Sequence, residues 1–316
     1  NQSMPLTLFK YRNCTENHFD ALYNDQIWTA AGELMNDGYD ARIYFDKMEV
    51  EAQLADVFSD DSIKAMIKNI QDKVELPPQI KSIPGMQQRY TSISQKSEDE
   101  LMIIFNNFKD FLKSNYYDFR NEISSLAQKA IKFSSLCEDI SSPSMWGLYS
   151  NNETGFAIEY YFESFSYETH LANKSSAICT IFPMIYNNRK YKVPTEYIIY
   201  LLQNKLLRSM NIPNCFLPIS LPCQDVTVPT KIALHKSMDW SSEKEWRIFC
   251  TSNDVEFQSK PISSFFKEPK AIYLGRRIST INEKILKNIA SEKKIPIYKM
   301  ELNDNSPTYE LINKPI

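Results

Sequence analysis

The residues in this chain best placed to do chemistry fall between Asp239 and Cys250, in the stretch D-W-S-S-E-K-E-W-R-I-F-C. Glu243 and Glu245 stand two apart, Arg247 follows at the same interval, and Trp240 and Trp246 flank the acids. In a β-strand, side chains two apart share a face. Read as a strand, the stretch turns Glu243, Glu245 and Arg247 one way, and Trp246 and Ile248 the other way into a core. Two acids and a base on one face suit acid–base or charge-stabilising work. The bland alternative is a solvated strand edge, with Arg247 simply paired to a carboxylate.

Other residues offer walls for such a site. Arg12 ends an opening run, L-T-L-F-K-Y-R, and its planar fork suits bidentate capture of a phosphate or carboxylate. Tyr11 and Tyr149 are candidates to sandwich a flat ring, although tyrosines of this kind are more often core residues with a satisfied hydroxyl. Ser134 or Ser135 can hydrogen-bond a ribose or amide from the end of a strand. With no histidine beside them, neither reads as a hydrolase nucleophile. His18, His170 and His235 are isolated.

The elements that must hold these residues follow from periodicity and turn signals. Strands are predicted at 6–12, 26–30, 130–137, 155–162, 176–186, 269–275 and 296–302, with the 239–250 stretch among them. Short helices are predicted at 16–24 and 143–149, the second with proline near its start. Residues 43–80 carry helical spacing, and Ser97 with Glu100 makes a capping box for a long helix. Helices are also predicted at 115–129, 195–210 and 279–293. The chain thus reads as a single α+β domain over 4–316, with a mixed or antiparallel sheet as its core. A helical insertion over 45–130 interrupts it.

Composition narrows the function. The 316 residues are 43% hydrophobic and 24% charged with net charge −3, an ordinary globular balance with no basic field to draw nucleic acid. Only 6 glycines occur, and neither the dinucleotide fingerprint nor the P-loop pattern is present. The 6 cysteines are scattered without C-x-x-C, which favours buried thiols in a reducing compartment and no metal site. With no apolar run of membrane-spanning length, a cytoplasmic protein is expected.

Several blocks in order resemble a bacterial family known only as domain of unknown function 2971. They are F-K-Y-R at 9–12, N-D at 36–37, F-S-S-L-C-E-D at 133–139, M-W-G-L-Y-S-N-N-E-T-G-F-A-I-E-Y at 145–160, W-S-S-E-K-E-W-R at 240–247 and A-I-Y-L-G at 271–275. The family's proline after N-D is replaced by Gly38. A second resemblance, to ADP-ribosyltransferases, rests on the order Tyr11-Arg12, Phe133-Ser134-Ser135 and Glu243-Lys244-Glu245. That resemblance implies an ADP-ribosyltransferase-like sheet and NAD as substrate. It also implies Glu245 as the carboxylate beside the ribose and Glu243 as the group that orients or deprotonates an acceptor. Tyr11, Arg12, Ser134, Ser135, Tyr149 and Arg247 are the expected ligand-binding residues. The expected activity is transfer of ADP-ribose to a protein or nucleic-acid acceptor, or NAD hydrolysis, as in a toxin or phage-defence effector. Two rivals stand beside it. One is a metal-dependent nuclease using Asp37, Asp40, Glu243 and Glu245; the other is a non-catalytic module that binds a nucleotide or peptide.

Overall fold

The computed structural model describes residues 5–72, 86–114, 116–201, 225 and 227–316. The chain divides into two compact units. One comprises Asn1–Ala41, Gln128–Lys190 and Ala233–Ile316; the other comprises Arg42–Ala127 and Tyr191–Ile232. The helix predicted at 195–210 and the irregular stretch after it lie for the most part outside the described residues.

The second unit is helical over its described first segment. Helices α2 (Lys47–Val57) and α3 (Asp60–Asp72) are followed by α4 (Met86–Ser94) and α5 (Glu98–Ser114). Val50, Leu54, Phe58, Ile63, Ile67, Leu101 and Phe105 are buried in it, at the helical spacing the sequence shows. The Ser97–Glu100 capping box forms as expected: the Glu100 carboxylate accepts from the Ser97 N–H at 2.9 Å.

The first unit is mixed α/β, built on a mixed sheet with strand order β13-β12-β11-β4-β1-β3-β9-β6-β5. In it are β1 (Thr7–Arg12), β3 (Lys132–Cys137), β4 (Phe156–Tyr161), β5 (Ser166–His170), β6 (Ser176–Pro183), β9 (Glu245–Thr251), β11 (Ala271–Leu274), β12 (Ile297–Leu302) and β13 (Leu311–Pro315). All pairs are antiparallel except β11 with β12. Two further strands, β2 (Gln26–Ala31) and β10 (Ile262–Phe266), join through β3. Strands β5 and β10 were not expected. S-Y-E-T-H and I-S-S-F-F are five residues each, too short to show a clear period, and pairing with β6 and β2 holds them.

Strand β3 divides the sheet. One edge pairs with β9 from Ser134 to Cys137. On the other edge β1 meets it only at Cys137, and β2 only at Lys132 and Phe133. Between these points the edge of Ser134, Ser135 and Leu136 is left open. Carbonyl direction alternates along a strand, so the bonds from Gly32 N–H to Ile131 O and from Lys10 Nζ to Ser135 O put β1 and β2 on the same edge. The two strands diverge there like a fork. Alternation on β1 sends Leu8, Lys10 and Arg12 to one face and Phe9 and Tyr11 to the other. Leu8 enters the larger apolar cluster with Leu136, Trp246 and Ile248. Phe9 and Tyr11 enter the smaller one with Cys137 and Trp146.

Candidate functional site

A cavity of about 260 Å³ occupies the fork. Its walls include Lys10, Tyr11 and Arg12 from β1, Trp28 from β2, Ser134 and Ser135 from β3, Tyr149, and Lys236, Glu243 and Glu245. Seven of the eight expected site residues therefore gather on one space, and Arg247 is the exception.

The acids converge by a route the strand reading did not foresee. The strand begins only at Glu245. Met238–Glu243 forms a 3₁₀ turn, and Lys244 closes it in the left-handed conformation at φ 45°, ψ 49°. The simple alternation through Glu243 is thereby broken. The corner folds Glu243 back, and both acids meet the ammonium of Lys236, at 2.6 Å from Glu243 and 3.1 Å from Glu245. Lys236 is buried, and its Nζ lies 5.0 Å from the ring centroid of Trp240.

Arg247 is wholly buried behind the carboxylates. Its Nε and Nη2 donate to Glu245 at 2.7 and 3.3 Å, its Nη1 to the Ala233 carbonyl at 2.5 Å, and its Nη2 also to Asp40 at 2.6 Å. This corrects its expected place among the ligand-binding residues. Its guanidinium is committed to protein acceptors and holds Glu245 in position. Asp40 and both glutamates are likewise tied into ion pairs with Arg247 or Lys236, and the Asp37 carboxylate accepts from the Tyr39 N–H at 2.9 Å.

The two glutamates differ electrically. Burial alone would raise both carboxyl pKa values. At Glu245 the Arg247 and Lys236 charges and a hydrogen bond from Ser135 outweigh it and hold the carboxyl down at about 2. At Glu243 burial prevails over Lys236 and the Tyr149 hydroxyl, and the carboxyl lies above its ordinary value. Neighbouring acids pushed apart in this way suit different tasks, one permanently ionised and one able to carry a proton. Tyr149 donates its hydroxyl to Glu243 and accepts from Asn36 Nδ2 at 3.2 Å. Tyr149 comes from α7 (Pro143–Tyr149), whose N-terminus Ser142 caps.

Tyr11 is 7% exposed, with its hydroxyl on the Asp139 carbonyl at 2.6 Å and its ring edge-on to Trp146. It stiffens the wall, and no two-tyrosine sandwich forms. Ser134 is 1% exposed, and its Oγ has no hydrogen-bond partner. At the fork's other side stand two cations. Lys10 donates to the Ser135 carbonyl at 2.6 Å, and burial and then Arg12 lower its pKa well below the ordinary value. Arg12 is lowered by burial and makes no ion pair among the described residues.

Sequence reasoning missed Lys10, Lys236 and Asn36, and met Asp40 only as a metal ligand. The i, i+2 spacing of Lys10 and Arg12 on one strand was the available signal. Nothing local marks Lys236, which is a partner only because the corner at Lys244 brings the acids to it. Among the described residues no helix is long and apolar enough to cross a membrane.

No curated protein and no solved structure matches the chain. Residues 145–248, which carry Tyr149, Lys236, Glu243, Glu245 and Arg247, match the model of a family described as "Protein of unknown function (DUF2971)", and the match supports that family for this chain.

Proposed function

We propose that the fork is a glycosyl-transfer site and that the protein is an ADP-ribosyltransferase-like enzyme or NAD glycohydrolase. The observation that carries this reading is the pocket's polarity. Three carboxylates share two cations at one side, leaving excess negative charge. At the other, Lys10, which the Glu245 charge reaches, and Arg12 stand without an ion pair among the described residues. A nicotinamide nucleotide has the complementary form: a cationic pyridinium on a ribose, and an anionic phosphate beyond it.

Cleavage of the nicotinamide–ribose bond builds positive charge at the anomeric carbon. Glu245, permanently ionised, stabilises that charge. Glu243 takes the proton from the attacking water or acceptor. The order of Arg12, Ser134 and Glu245 around a divided sheet favours an ADP-ribosyltransferase-like fold. Depletion of NAD in the cytoplasm would make the protein a toxin or phage-defence effector.

The test is release of nicotinamide from NAD, together with transfer of labelled ADP-ribose to components of a cell lysate. Wild type should be active, and Glu243→Gln should lose about 10²–10⁴-fold. Absence of ADP-ribose transfer, and of nicotinamide release from every nicotinamide nucleotide, overturns the reading. Activity that vanishes with a chelator would favour a metal-dependent nuclease.

A further inference from the structure

The phosphate end of the fork is more specific than the reading above requires. Lys10 and Arg12 point to the same face of β1 and line one cavity, and neither forms an ion pair among the described residues, although the Glu245 charge reaches Lys10. Half-buried cations without an ion pair leave a place for an anionic partner. Beside them the buried Ser134 hydroxyl lacks any partner, and buried hydroxyls seldom go unpartnered. Two cations without an ion pair among the described residues and an idle hydroxyl, all lining one cavity, suit a compact, doubly charged acceptor. A phosphate monoester carries close to two negative charges at neutral pH. Each phosphate of a dinucleotide's diphosphate carries only one. Size points the same way. A cavity of about 260 Å³ lies just under the usual range of ligand pockets and suits one nucleotide half better than two.

We propose that Lys10, Arg12 and Ser134 form a subsite for a phosphate monoester, and that the enzyme accepts a nicotinamide mononucleotide as substrate in preference to the dinucleotide. This rests on the reading of the fork as a glycosyl-transfer site. The hydrolytic step balances without an oxidant. The C1′–N bond breaks with its electron pair passing to the nicotinamide nitrogen, water forms the new C1′–O bond, and Glu243 receives the proton that water releases. The products are nicotinamide and ribose 5-phosphate. The role of Ser134 is to donate its hydroxyl hydrogen to a phosphate oxygen.

Calorimetric titration of the full chain with nicotinamide mononucleotide, nicotinamide riboside and NAD tests the subsite, with nicotinamide release followed in parallel. The mononucleotide should bind about tenfold to a hundredfold more tightly than the riboside, and more tightly than NAD. Lys10→Met, Arg12→Met and Ser134→Ala should each erase most of the gap between mononucleotide and riboside. Lys10→Met keeps the length of the side chain, and its melting temperature, measured in parallel, separates a loss of binding from a loss of fold. Equal binding of mononucleotide and riboside overturns the proposal, as does a preference that survives in Lys10→Met. If NAD is cleaved and the mononucleotide is not, the subsite fails while the glycosyl-transfer reading stands. If the mononucleotide binds through these residues and no nicotinamide is released from either nucleotide, the subsite stands and the reading fails.

Discussion

At the residue scale, the site is governed by the partners of two glutamates. Glu245 receives charge from two cations at once, and Arg247 and Asp40 form its buried backing. Removing one member of such a network strands the others: Glu245→Gln should cost about 3–5 kcal/mol in chemical unfolding. Glu243 is equally buried but pairs with one cation only, and its carboxyl lies above its ordinary value, so Glu243→Gln should cost less stability and act mainly on turnover. The acid limb of stability separates the two. Glu245 has a depressed folded pKa of about 2. Its contribution is complete above the unfolded value of about 4.3 and is lost as pH falls toward 2. Glu243 is shifted the other way, so its ionisation subtracts stability as pH rises past its unfolded value. In wild type the two partly cancel. Melting temperatures of Glu243→Gln should therefore fall more steeply than those of wild type from about pH 5 to pH 3; a shallower fall would contradict the assignment.

At the element scale, two backbone corners set the site. One is Lys244, whose left-handed conformation costs a β-branched residue most. Lys244→Ile should destabilise the fold by roughly 1–2 kcal/mol and reduce turnover by pulling Glu243 from Lys236. Equal turnover per folded molecule would show that the corner does not position Glu243. The other corner follows α7, where Asn151, Asn152 and Glu153 all take positive φ, and the Gly155 N–H bonds Ser150 O at 2.8 Å. Asparagine tolerates this conformation better than most residues. A Cβ on Gly155 would lie 2.2 Å from the Arg12 carbonyl oxygen and 2.9 Å from that of Ser150. Gly155→Ala must therefore push β1 or the turn aside at the end that carries Arg12. Weaker nucleotide binding together with a lowered melting temperature is expected. Unchanged binding would mean that the end of β1 does not shape the pocket.

At the scale of the whole molecule, ligand binding and folding are linked. A ligand that binds only the folded chain stabilises it by about 2.7 kcal/mol at a concentration a hundred times its dissociation constant. Nicotinamide mononucleotide at that excess should raise the melting temperature by a few degrees, and the shift should shrink as salt is added, because Lys10 and Arg12 carry the attraction. A shift indifferent to salt would argue for an apolar binding mode. The division of the sheet along β3 is what makes such a site possible. An unbroken ladder would have paired Ser134, Ser135 and Leu136 with a strand, as it does on the β9 side.

What the sequence determined by itself is the set of elements with strong local signals and the residue types that converge. The i, i+2 spacing on β1, the proline at the start of α7 and the helical spacing of 47–72 and 98–114 each express a local preference that the fold keeps. Tyr11, Arg12, Ser134, Glu243 and Glu245 were legible because strand ends and paired acids are visible in one dimension. Tertiary structure alone decided the rest. The short strands β5 and β10 are fixed by pairing with β6 and β2. Lys236 and Asp40 became partners of the glutamates through a left-handed corner and the reach of Arg247 across the chain. Whether Arg247 would face a ligand or stand behind the acids was equally open, since its burial depends on which groups close over it. Charge compensation is a property of distance in space, and spacing along the chain does not encode it.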